Sequence, residues 1–328
     1  MIATKSRLAR PDTGPAVAFL SRRTEPLSQL VIQRTLVERP SDTVRGIALA
    51  VFAYLVWTLG DATAKWTLPA AGVALALLWR GVFGAATVAA LATTQPGGWR
   101  LLVPVRWGMV LLRSLLAAFV SLTWYAAWQT MGLADTYAIG FVSPLIMTLL
   151  AVPMLGERLR WRRSLSTVVG FGGVLVMLRP DGVMWTPTLL LLIAGIVAMA
   201  VTRIMTRQLS TTETPECQAF WLLGGHVAAG LAVLPLFPQP AALDAVTWAA
   251  FVFLGLSSGL GHCVYARAYA LAPVSALAPY EYTSLLWGGL LGFAMFGEVP
   301  GWSTLVGASV VAAAGLYNLH RERMRFPA

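Results

Sequence analysis

The chain has 328 residues, of which 57% are hydrophobic and 12% are charged, and its formal net charge is +10. Soluble domains carry about twice this charged fraction, so the composition excludes an ordinary soluble enzyme or binding domain. The basic residues are spread over loop ends and tails and form no patch with interleaved aromatic residues. This distribution excludes a nucleic-acid surface.

Apolar runs of about 20 residues, the length that a helix needs to cross a hydrocarbon core about 30 Å thick, recur along most of the chain. The mean hydropathy is +0.70. The composition therefore predicts an all-α integral membrane protein, with the lipid bilayer as a partner.

The two cysteines, Cys217 and Cys263, belong to no CxxC or Cys/His cluster. Their spacing predicts neither a zinc site nor a disulfide framework. The sequence also lacks the GxxxxGK[ST] motif with which many proteins bind ATP. We therefore expect no metal, no cofactor and no catalytic residue.

Residues 1–44 are polar and basic and contain no secretory hydrophobic segment. We expect a disordered cytoplasmic tail, in which Leu27, Leu30 and Val31 are spaced for at most one short surface helix. Ten apolar spans follow, at residues 45–66, 72–94, 107–128, 136–155, 164–179, 187–207, 217–236, 246–266, 275–296 and 302–320. Residues 321–328 form a second tail.

The basic residues are concentrated in the loops of one side. That side holds Arg100, Arg106, Arg158, Arg160, Arg162, Arg163, Arg207, Arg267, Arg321, Arg323 and Arg325. The opposite loops hold only Lys65 and Arg179. Because basic loops remain on the cytoplasmic side, both termini are predicted to be cytoplasmic.

Two similar segments, residues 133–163 and 271–302, each contain a long apolar run that stops at Gly-Glu. An offset of 141 residues aligns them, with seven identities in the 24 positions from Ala134 to Glu157. A basic run follows only the first segment, so the two copies are predicted to cross in opposite directions. An inverted repeat indicates a secondary transporter, here with repeats at residues 45–180 and 181–320.

Two five-helix repeats, each with a penultimate helix ending in Gly-Glu and a Gly-rich last helix, resemble the drug/metabolite transporter superfamily. Within it the chain is similar to the EamA-type ten-helix permeases. The residues that carry the resemblance are PLIMTLLAVPMLGERLRWRRSLSTVVGFGGVLVMLRP (Pro144 to Pro180) and APYEYTSLLWGGLLGFAMFGEVPGWSTLVGASVVAAAGLY (Ala278 to Tyr317). The segments ADTYAIGFVSPL and APYEY are similar to the bacterial branch that contains S-adenosylmethionine and riboflavin uptake permeases.

The resemblance implies a permease of the bacterial inner membrane, and not an enzyme, that works as a monomer or homodimer. It would move a small polar or zwitterionic metabolite by alternating access. Two alternatives remain open. One is a broad-specificity exporter of amino acids or drugs with the same fold, and the other is a membrane-embedded enzyme, for which no catalytic motif is visible.

Charged residues inside the spans are costly and mark either a site or a structural partner. Tyr54, Trp57, Asp61 and Lys65 are spaced i, i+3, i+7 and i+11 and therefore share one face of the first span. Arg80 of the second span lies at a depth similar to that of Asp61. An ion pair between them is as reasonable as a role in binding.

Glu281 is the first candidate for substrate or proton binding. Its counterpart in the first repeat is Gly140, so the fold itself does not require a carboxylate at this position. Arg113 and Arg203 lie at a similar depth from the cytoplasm, and a structural ion pair with either of them is the alternative. We expect Arg203 and Asp61 not to pair, because inversion places them near opposite faces.

Aromatic residues suit a planar or cationic solute. Trp128, Tyr137 and Trp161 are expected to be interfacial anchors, and Glu298 to anchor a loop. His262 is a candidate proton carrier, with packing as the alternative. The predicted substrate-binding residues are Glu281, Tyr282, Tyr265, Trp124, Trp57, Arg113 and Arg80, and the predicted ion-pair or proton-coupling residues are Asp61, Arg203, Glu281 and His262.

Overall fold

The computed structural model describes residues 40–143, 145–146, 149–150, 161–178, 186–238, 240–271 and 277–323. The chain divides into two compact units, residues 1–41 and 42–328, and the helices discussed below belong to the second. The surface helix predicted in the tail and the Gly156-Glu157 motif lie outside the described residues.

All regular secondary structure in the described ranges is helical, which confirms the predicted all-α class. In chain order the α-helices of these ranges are α1 (Pro40–Thr93), α2 (Trp107–Trp128), α3 (Leu133–Gly140), α4 (Trp161–Leu178), α5 (Pro187–Leu209), α6 (Pro215–Val233), α7 (Ala245–Leu271), α8 (Thr283–Phe296) and α9 (Trp302–Arg323). Short 3-10 turns lie at Gly98–Leu102, Leu234–Leu236 and Ala278–Tyr282.

Most described residues of the ten predicted spans are helical, but Thr94, Phe141 and Val142 form turns. Among the described helices, five stretches are long and apolar enough to cross a membrane: Val44–Thr93, Trp107–Trp128, Pro187–Thr206, Pro215–Leu236 and Ala245–Tyr265. The first contains 50 residues, enough for two crossings. The protein is therefore a multi-pass membrane protein.

Helix α1 consists of two arms that meet at Gly72, where φ is 74° and ψ is 170°. Glycine adopts this positive φ without steric cost. Asp61 in the first arm and Arg80 in the second are 19 residues apart, which is about 28 Å along a straight helix. Because Arg80 Nη1 lies 3.3 Å from Asp61 Oδ1, the two arms must fold back on each other as a hairpin.

Helix starts in the second half follow local capping rules. The Thr186 side chain accepts the N–H of Leu189 at 3.2 Å, and the Thr214 side chain accepts the N–H of Cys217 at 3.0 Å. A proline occupies the first turn after each threonine, where its missing N–H costs nothing. These caps fix where α5 and α6 begin.

Helices α4 and α9, the last of each repeat, pack closely and run in opposite directions. A Cβ atom added to Gly170 would lie 3.3 Å from Cβ of Ala314, and one added to Gly173 would lie 2.9 Å from the carbonyl oxygen of Gly307. Residue numbers therefore rise along α4 as they fall along α9. Glycine permits this close approach of two helix backbones.

The same antiparallel relation holds for two further pairs of equivalent helices, α3 with α8 and the second arm of α1 with α6. The facing residues are Leu133–Gly292 and Tyr137–Gly288 in the first pair, and Leu78–Gly230 and Gly81–Leu223 in the second. Equivalent helices that run oppositely are what an inverted repeat requires, and they confirm the predicted architecture.

The turn between α5 and α6 holds the start of α2. The Glu213 carboxylate, 6% exposed, accepts the N–H of Val105 at 2.9 Å and that of Arg106 at 2.7 Å. Burial alone would raise the pKa of Glu213, but the hydrogen bonds from Val105 and Arg106, with smaller ones from Thr212 and Cys217, outweigh burial and lower the pKa below its ordinary value. Ionised Glu213 therefore stabilises this junction.

The glycine contact between α4 and α9 gives a first prediction. Gly173→Ala should lower the melting temperature of the purified protein, because the new methyl group meets a backbone carbonyl that cannot move aside, at a cost of about 1–3 kcal/mol. Gly172→Ala is the matched control, since a Cβ there meets no atom within 4 Å. Equal melting temperatures for the two variants would contradict this packing.

The Glu213 junction gives a second prediction. A carboxyl group whose pKa is lowered by folding stabilises the folded state above its unfolded pKa, and this stabilisation is lost as the pH falls through the folded pKa. Glu213→Gln should destabilise the protein at neutral pH by about 1–3 kcal/mol and should flatten the loss of thermal stability on acidification.

The control for this variant is Glu216→Gln, the same chemical change three residues along in the first turn of α6. Melting temperatures would be recorded between about pH 4 and about pH 7. A Glu213→Gln curve that parallels the wild-type curve would show that this carboxylate contributes nothing to the junction.

Candidate functional site

The face of α1 that carries Tyr54, Trp57, Asp61 and Lys65 points into the helix bundle. Each of these side chains contacts a different set of neighbours, at successive depths along the helix. Seven residues, or about 10 Å of helix, separate Tyr54 from Asp61. The four residues therefore share one face of α1, as their spacing predicted.

Four rings pack together at the level of Tyr54 and Trp57, and we call Tyr54, Trp57, His262 and Tyr265 the aromatic cluster. Ring centroids lie 4.9 Å apart for Trp57 and Tyr265, 5.0 Å for Trp57 and His262, and 5.9 Å for Tyr54 and Tyr265. A Cβ at Gly261 would overlap the Trp57 indole, so this glycine lets α7 approach α1. The cluster brings together three of the predicted site residues.

A direct ion pair joins Arg203 of α5 to Glu281 in the turn before α8. The hydroxyl groups of Tyr54 and Tyr265 lie close enough to Arg203 to interact with it electrostatically, which places the pair beside the aromatic cluster. The side chain of Arg203 is 34% exposed and that of Glu281 is 19% exposed, so the pair is partly buried. Of the two partners considered for Glu281, the structure selects Arg203.

A second polar network surrounds Asp61. Asp61 Oδ1 lies 3.3 Å from Arg80 Nη1, and Asp61 Oδ2 accepts the Tyr137 hydroxyl at 2.7 Å. Arg80 Nη1 also donates to the Tyr125 hydroxyl oxygen at 3.1 Å. One carboxylate and one guanidinium thereby connect both arms of α1 with α2 and α3.

Lys65, one helical turn beyond Asp61, closes the same end of the bundle. Its ammonium contacts the Glu298 carboxylate and donates to the Met131 carbonyl oxygen at 2.7 Å. Glu298 Oε2 also accepts the N–H of Leu133, the first residue of α3, at 2.8 Å. Gly297, with φ of 68°, makes the turn that directs Glu298 there. The predicted anchoring role of Glu298 is confirmed, and its target is a helix of the other repeat.

Arg113 lies apart from these groups. Its side chain is buried and donates from Nε to Thr206 Oγ1 at 2.7 Å and from Nη1 to the Gln218 carbonyl oxygen at 3.1 Å. It therefore ties α2 to α5 and α6, and the structure does not bring it to Glu281. Its predicted contact with substrate stays a prediction.

Trp124 reveals where the two repeats differ. Its ring packs directly on Gly140, where an added Cβ would lie 2.7 Å from the indole. At the same offset of 141 residues, the second repeat has Tyr265 and Glu281 instead. The first repeat thus fills this position with a large ring, whereas the second holds a carboxylate that reaches Arg203.

Tyr282 lies outside the aromatic cluster. Its ring is 4.9 Å from that of Phe141, and it borders a cavity of about 540 Å³ between α8 and α9. Leu286 and Leu305, which also line this cavity, are largely exposed. The cavity is therefore open at an exposed face of α8 and α9, and its lining includes neither Arg203 nor Glu281.

Sequence reasoning missed two tyrosines of the Asp61 network. Tyr137 was expected to be an interfacial anchor together with Trp128, but Tyr137 is 9% exposed and Trp128 is 3% exposed, so that expectation is wrong. Tyr125 is fully buried. A hydroxyl group inside an apolar helix needs a hydrogen-bond partner. This requirement could have indicated from the sequence that the two tyrosines bind a polar group inside the bundle. The side chain of Trp161 lies outside the described residues.

Comparison with known proteins agrees with this architecture. The model of the EamA-like transporter family matches residues 44–179 and again residues 186–318. A solved crystal structure, 19% identical, superimposes with a TM-score of 0.63 over 85% of this chain and 99% of that one. At this identity the similarity establishes the fold alone.

Characterised relatives are named as metabolite transporters. The S-adenosylmethionine uptake transporter of Rickettsia prowazekii is 28% identical over 65% of this chain and 71% of its own. The riboflavin transporter of Rhizobium johnstonii is 27% identical over 89% of this chain and 97% of its own. A pseudopaline exporter of Pseudomonas aeruginosa is 25% identical over 82% of this chain and 94% of its own.

Two copies of one helical unit, matched along most of the chain, identify a permease for small metabolites and not an enzyme. The protein belongs to the EamA-like transporter family.

Proposed function

We propose that this permease takes up a zwitterionic metabolite with a planar part across the bacterial inner membrane by alternating access. The observation that carries the proposal is the Arg203–Glu281 ion pair next to the aromatic cluster. The site is formed by helices of both repeats, where solutes bind in transporters with inverted repeats.

A zwitterion suits this pair because it preserves charge balance. The carboxylate of the solute would bind Arg203, and its ammonium group would bind Glu281, so each protein charge exchanges one partner for another. A solute with a single charge would leave Arg203 or Glu281 unpaired in the membrane interior, at a cost of several kcal/mol. The planar part of the solute would pack on the rings of Trp57 and Tyr265.

The difference between the repeats supports a site displaced toward the second repeat. In the first repeat the equivalent position is filled by Trp124 against Gly140, which leaves no space for a ligand. We therefore assign binding to Trp57, Arg203, Tyr265 and Glu281. The other predicted binding residues would not contact the solute directly; they are Arg80, Arg113, Trp124 and Tyr282.

The names of the relatives are consistent with this class of solute. S-Adenosylmethionine combines an amino-acid zwitterion with a planar base and a sulfonium cation, which aromatic rings attract, whereas riboflavin has a planar ring and no zwitterion. Our assignment therefore favours the first type. The exporter relative supports the competing proposal that the same site works in the outward direction.

The charge distribution supports a cytoplasmic location for both termini. In this orientation the Arg203–Glu281 pair lies in the cytoplasmic half and the Asp61 network in the outer half. We also propose that residues 1–44 form a cytoplasmic tail and that the repeats occupy residues 45–180 and 181–320. Oligomeric state, monomer or homodimer, would follow from light scattering of the purified protein.

The proposal is tested first by thermal shift in detergent. A ligand that binds only the folded state raises the melting temperature by mass action. The panel should contain S-adenosylmethionine, methionine, riboflavin and adenosine. A rise with the zwitterions and none with the neutral compounds would support the assignment, whereas a rise with riboflavin alone would refute it. Uptake and efflux from loaded vesicles then establish the direction.

The ion pair gives a third prediction. Glu281→Gln should weaken S-adenosylmethionine binding about tenfold or more and should abolish its transport, with membrane insertion unchanged. The weakened binding should depend on the ammonium end of the solute. Removing the ammonium group from the solute should weaken its binding to wild type but not to Glu281→Gln, and Arg203→Gln should behave in the same way toward the carboxylate.

Glu216→Gln is the control for this experiment also, since it removes a carboxylate at the start of α6. A Glu281→Gln variant that binds and transports at wild-type rates would remove Glu281 from the site. One analogue lacks the ammonium group of the solute and the other lacks its carboxylate. If each analogue binds every variant more weakly than the solute by the same factor as it does wild type, Arg203 and Glu281 form a purely structural pair.

The aromatic cluster gives a fourth prediction. Trp57→Ala should weaken the binding of S-adenosylmethionine about three- to tenfold by removing a ring contact, while the affinity for methionine should change little. Trp248→Ala removes an exposed indole that packs on Trp79 and is the matched control. If Trp57→Ala weakens binding of both solutes to the same extent, the ring of Trp57 does not face the planar part.

A further inference from the structure

We propose that Asp61 binds the proton whose movement drives transport, so that solute and proton occupy two different carboxylates, Glu281 and Asp61. This inference rests on the proposed function for its solute site. It makes the protein a proton-coupled symporter in which protonation of Asp61 opens the outer half of the bundle.

The first argument is the number of helices that one carboxylate holds together. Asp61 accepts from Tyr137 on α3 and pairs with Arg80 on the second arm of α1, and Arg80 in turn donates to Tyr125 on α2. No other carboxylate in the described part of the spans connects as many helices through its hydrogen bonds. A single proton on Asp61 can therefore change several contacts at once.

The second argument is what remains after protonation. A neutral Asp61 keeps a hydrogen bond with the Tyr137 hydroxyl but loses most of its attraction for Arg80. Arg80 then retains Tyr125, and its Nε atom is buried with no partner among the described residues. The guanidinium is thus free to leave the carboxyl group, which separates the two arms of α1 from each other.

The third argument is that the two carboxylates have different partners. Glu281 pairs directly with Arg203, in a site that we assign to the zwitterion. Asp61 shares its cation with a tyrosine, because Arg80 also donates to the Tyr125 hydroxyl oxygen. Trp57 lies one turn below Asp61 on the same helix face, so that a ring bound at Trp57 adjoins the proton site.

The charged and titratable groups around Asp61 come from every neighbouring helix. Arg80, Tyr125 and Tyr137 contact it or its partner directly. His226 of α6 and His262 of α7 lie within electrostatic range of Arg80, and the Lys65–Glu298 pair lies one turn away. His226 is hydrogen-bonded to Ser121, and His262 packs on Trp57. Asp61 is the carboxylate that contacts Arg80 directly.

The proton balance of the cycle is simple. A proton from the outer side forms an O–H bond on an Asp61 carboxylate oxygen as the Asp61–Arg80 ion pair breaks. Solute binding at Arg203 and Glu281 then closes the outer half while Asp61 is still protonated. After the bundle opens inward, Asp61 releases this proton to the cytoplasm and the ion pair forms again. One proton and one solute would cross in each cycle, with no further reactant.

The solute-free test is infrared difference spectroscopy of the full-length protein in proteoliposomes between about pH 5 and about pH 8. Wild type should show a protonated-carboxyl band at the lower pH that is missing in Asp61→Asn. Asp244→Asn, which removes an exposed loop carboxylate, should keep this band. The same band in wild type and Asp61→Asn would overturn the proposal.

The transport test uses radiolabelled S-adenosylmethionine and an internal pH dye in the same vesicles. Asp61→Asn should accumulate solute at least about tenfold less than wild type under a pH gradient, and its exchange of solute between the two sides should no longer depend on external pH. Asp61→Glu, which keeps a titratable group, should recover part of the accumulation even if Asp61→Asn proves unstable. Asp244→Asn should behave like wild type.

The two proposals fail in different ways. If wild type neither binds nor exchanges S-adenosylmethionine, the proposed solute class is refuted. The infrared test of Asp61, which needs no solute, then decides the present inference. Exchange by wild type without solute-dependent acidification would overturn proton coupling, as would full accumulation by Asp61→Asn.

Discussion

The structure depends on one constraint, that a charge inside the membrane must have a partner of opposite charge or several hydrogen bonds. Three ion pairs satisfy it along one side of α1: Lys65–Glu298, Asp61–Arg80 and Arg203–Glu281. They lie at different depths. Lys65–Glu298 and Arg203–Glu281 join helices that are far apart in the chain, whereas Asp61–Arg80 joins the two arms of α1. The polar contacts that make insertion possible are therefore the same contacts that can change when the permease changes conformation.

The inverted repeat explains both the framework and its asymmetry. Equivalent helices meet in antiparallel pairs through glycines such as Gly173 and Gly288. The arrangement of the helices is therefore close to two-fold symmetric. Chemistry breaks this symmetry where Trp124 packs on Gly140 in one repeat while Glu281 meets Arg203 in the other. A solute bound to Arg203 and Glu281 would lie away from the two-fold axis that relates the repeats. The proton site on Asp61 would lie in the other half of the membrane.

Much of the frame was predictable because membrane helices must satisfy their backbone hydrogen bonds internally, which makes long apolar runs a reliable signal. The spacing of Tyr54, Trp57, Asp61 and Lys65 predicted one shared helix face, and the Asp61–Arg80 ion pair, one of the two alternatives left open, is present in the structure. Tyr137 was misread as an interfacial anchor. Its position near a span end fits either role, and only the packing of α3 against α1 and α8 decides between them.

The sequence by itself determined the helical class, the ten spans, the repeat and the short list of charges that need partners. These depend on local properties, namely hydropathy, residue spacing and turn residues. Tertiary structure alone decided which charges distant in the chain meet, since pairs such as Lys65 and Glu298 are 233 residues apart and several oppositely charged groups lie at similar depth. It also decided that Glu281 pairs with Arg203 instead of Arg113, because helix packing directs Arg113 toward Thr206 and Gln218.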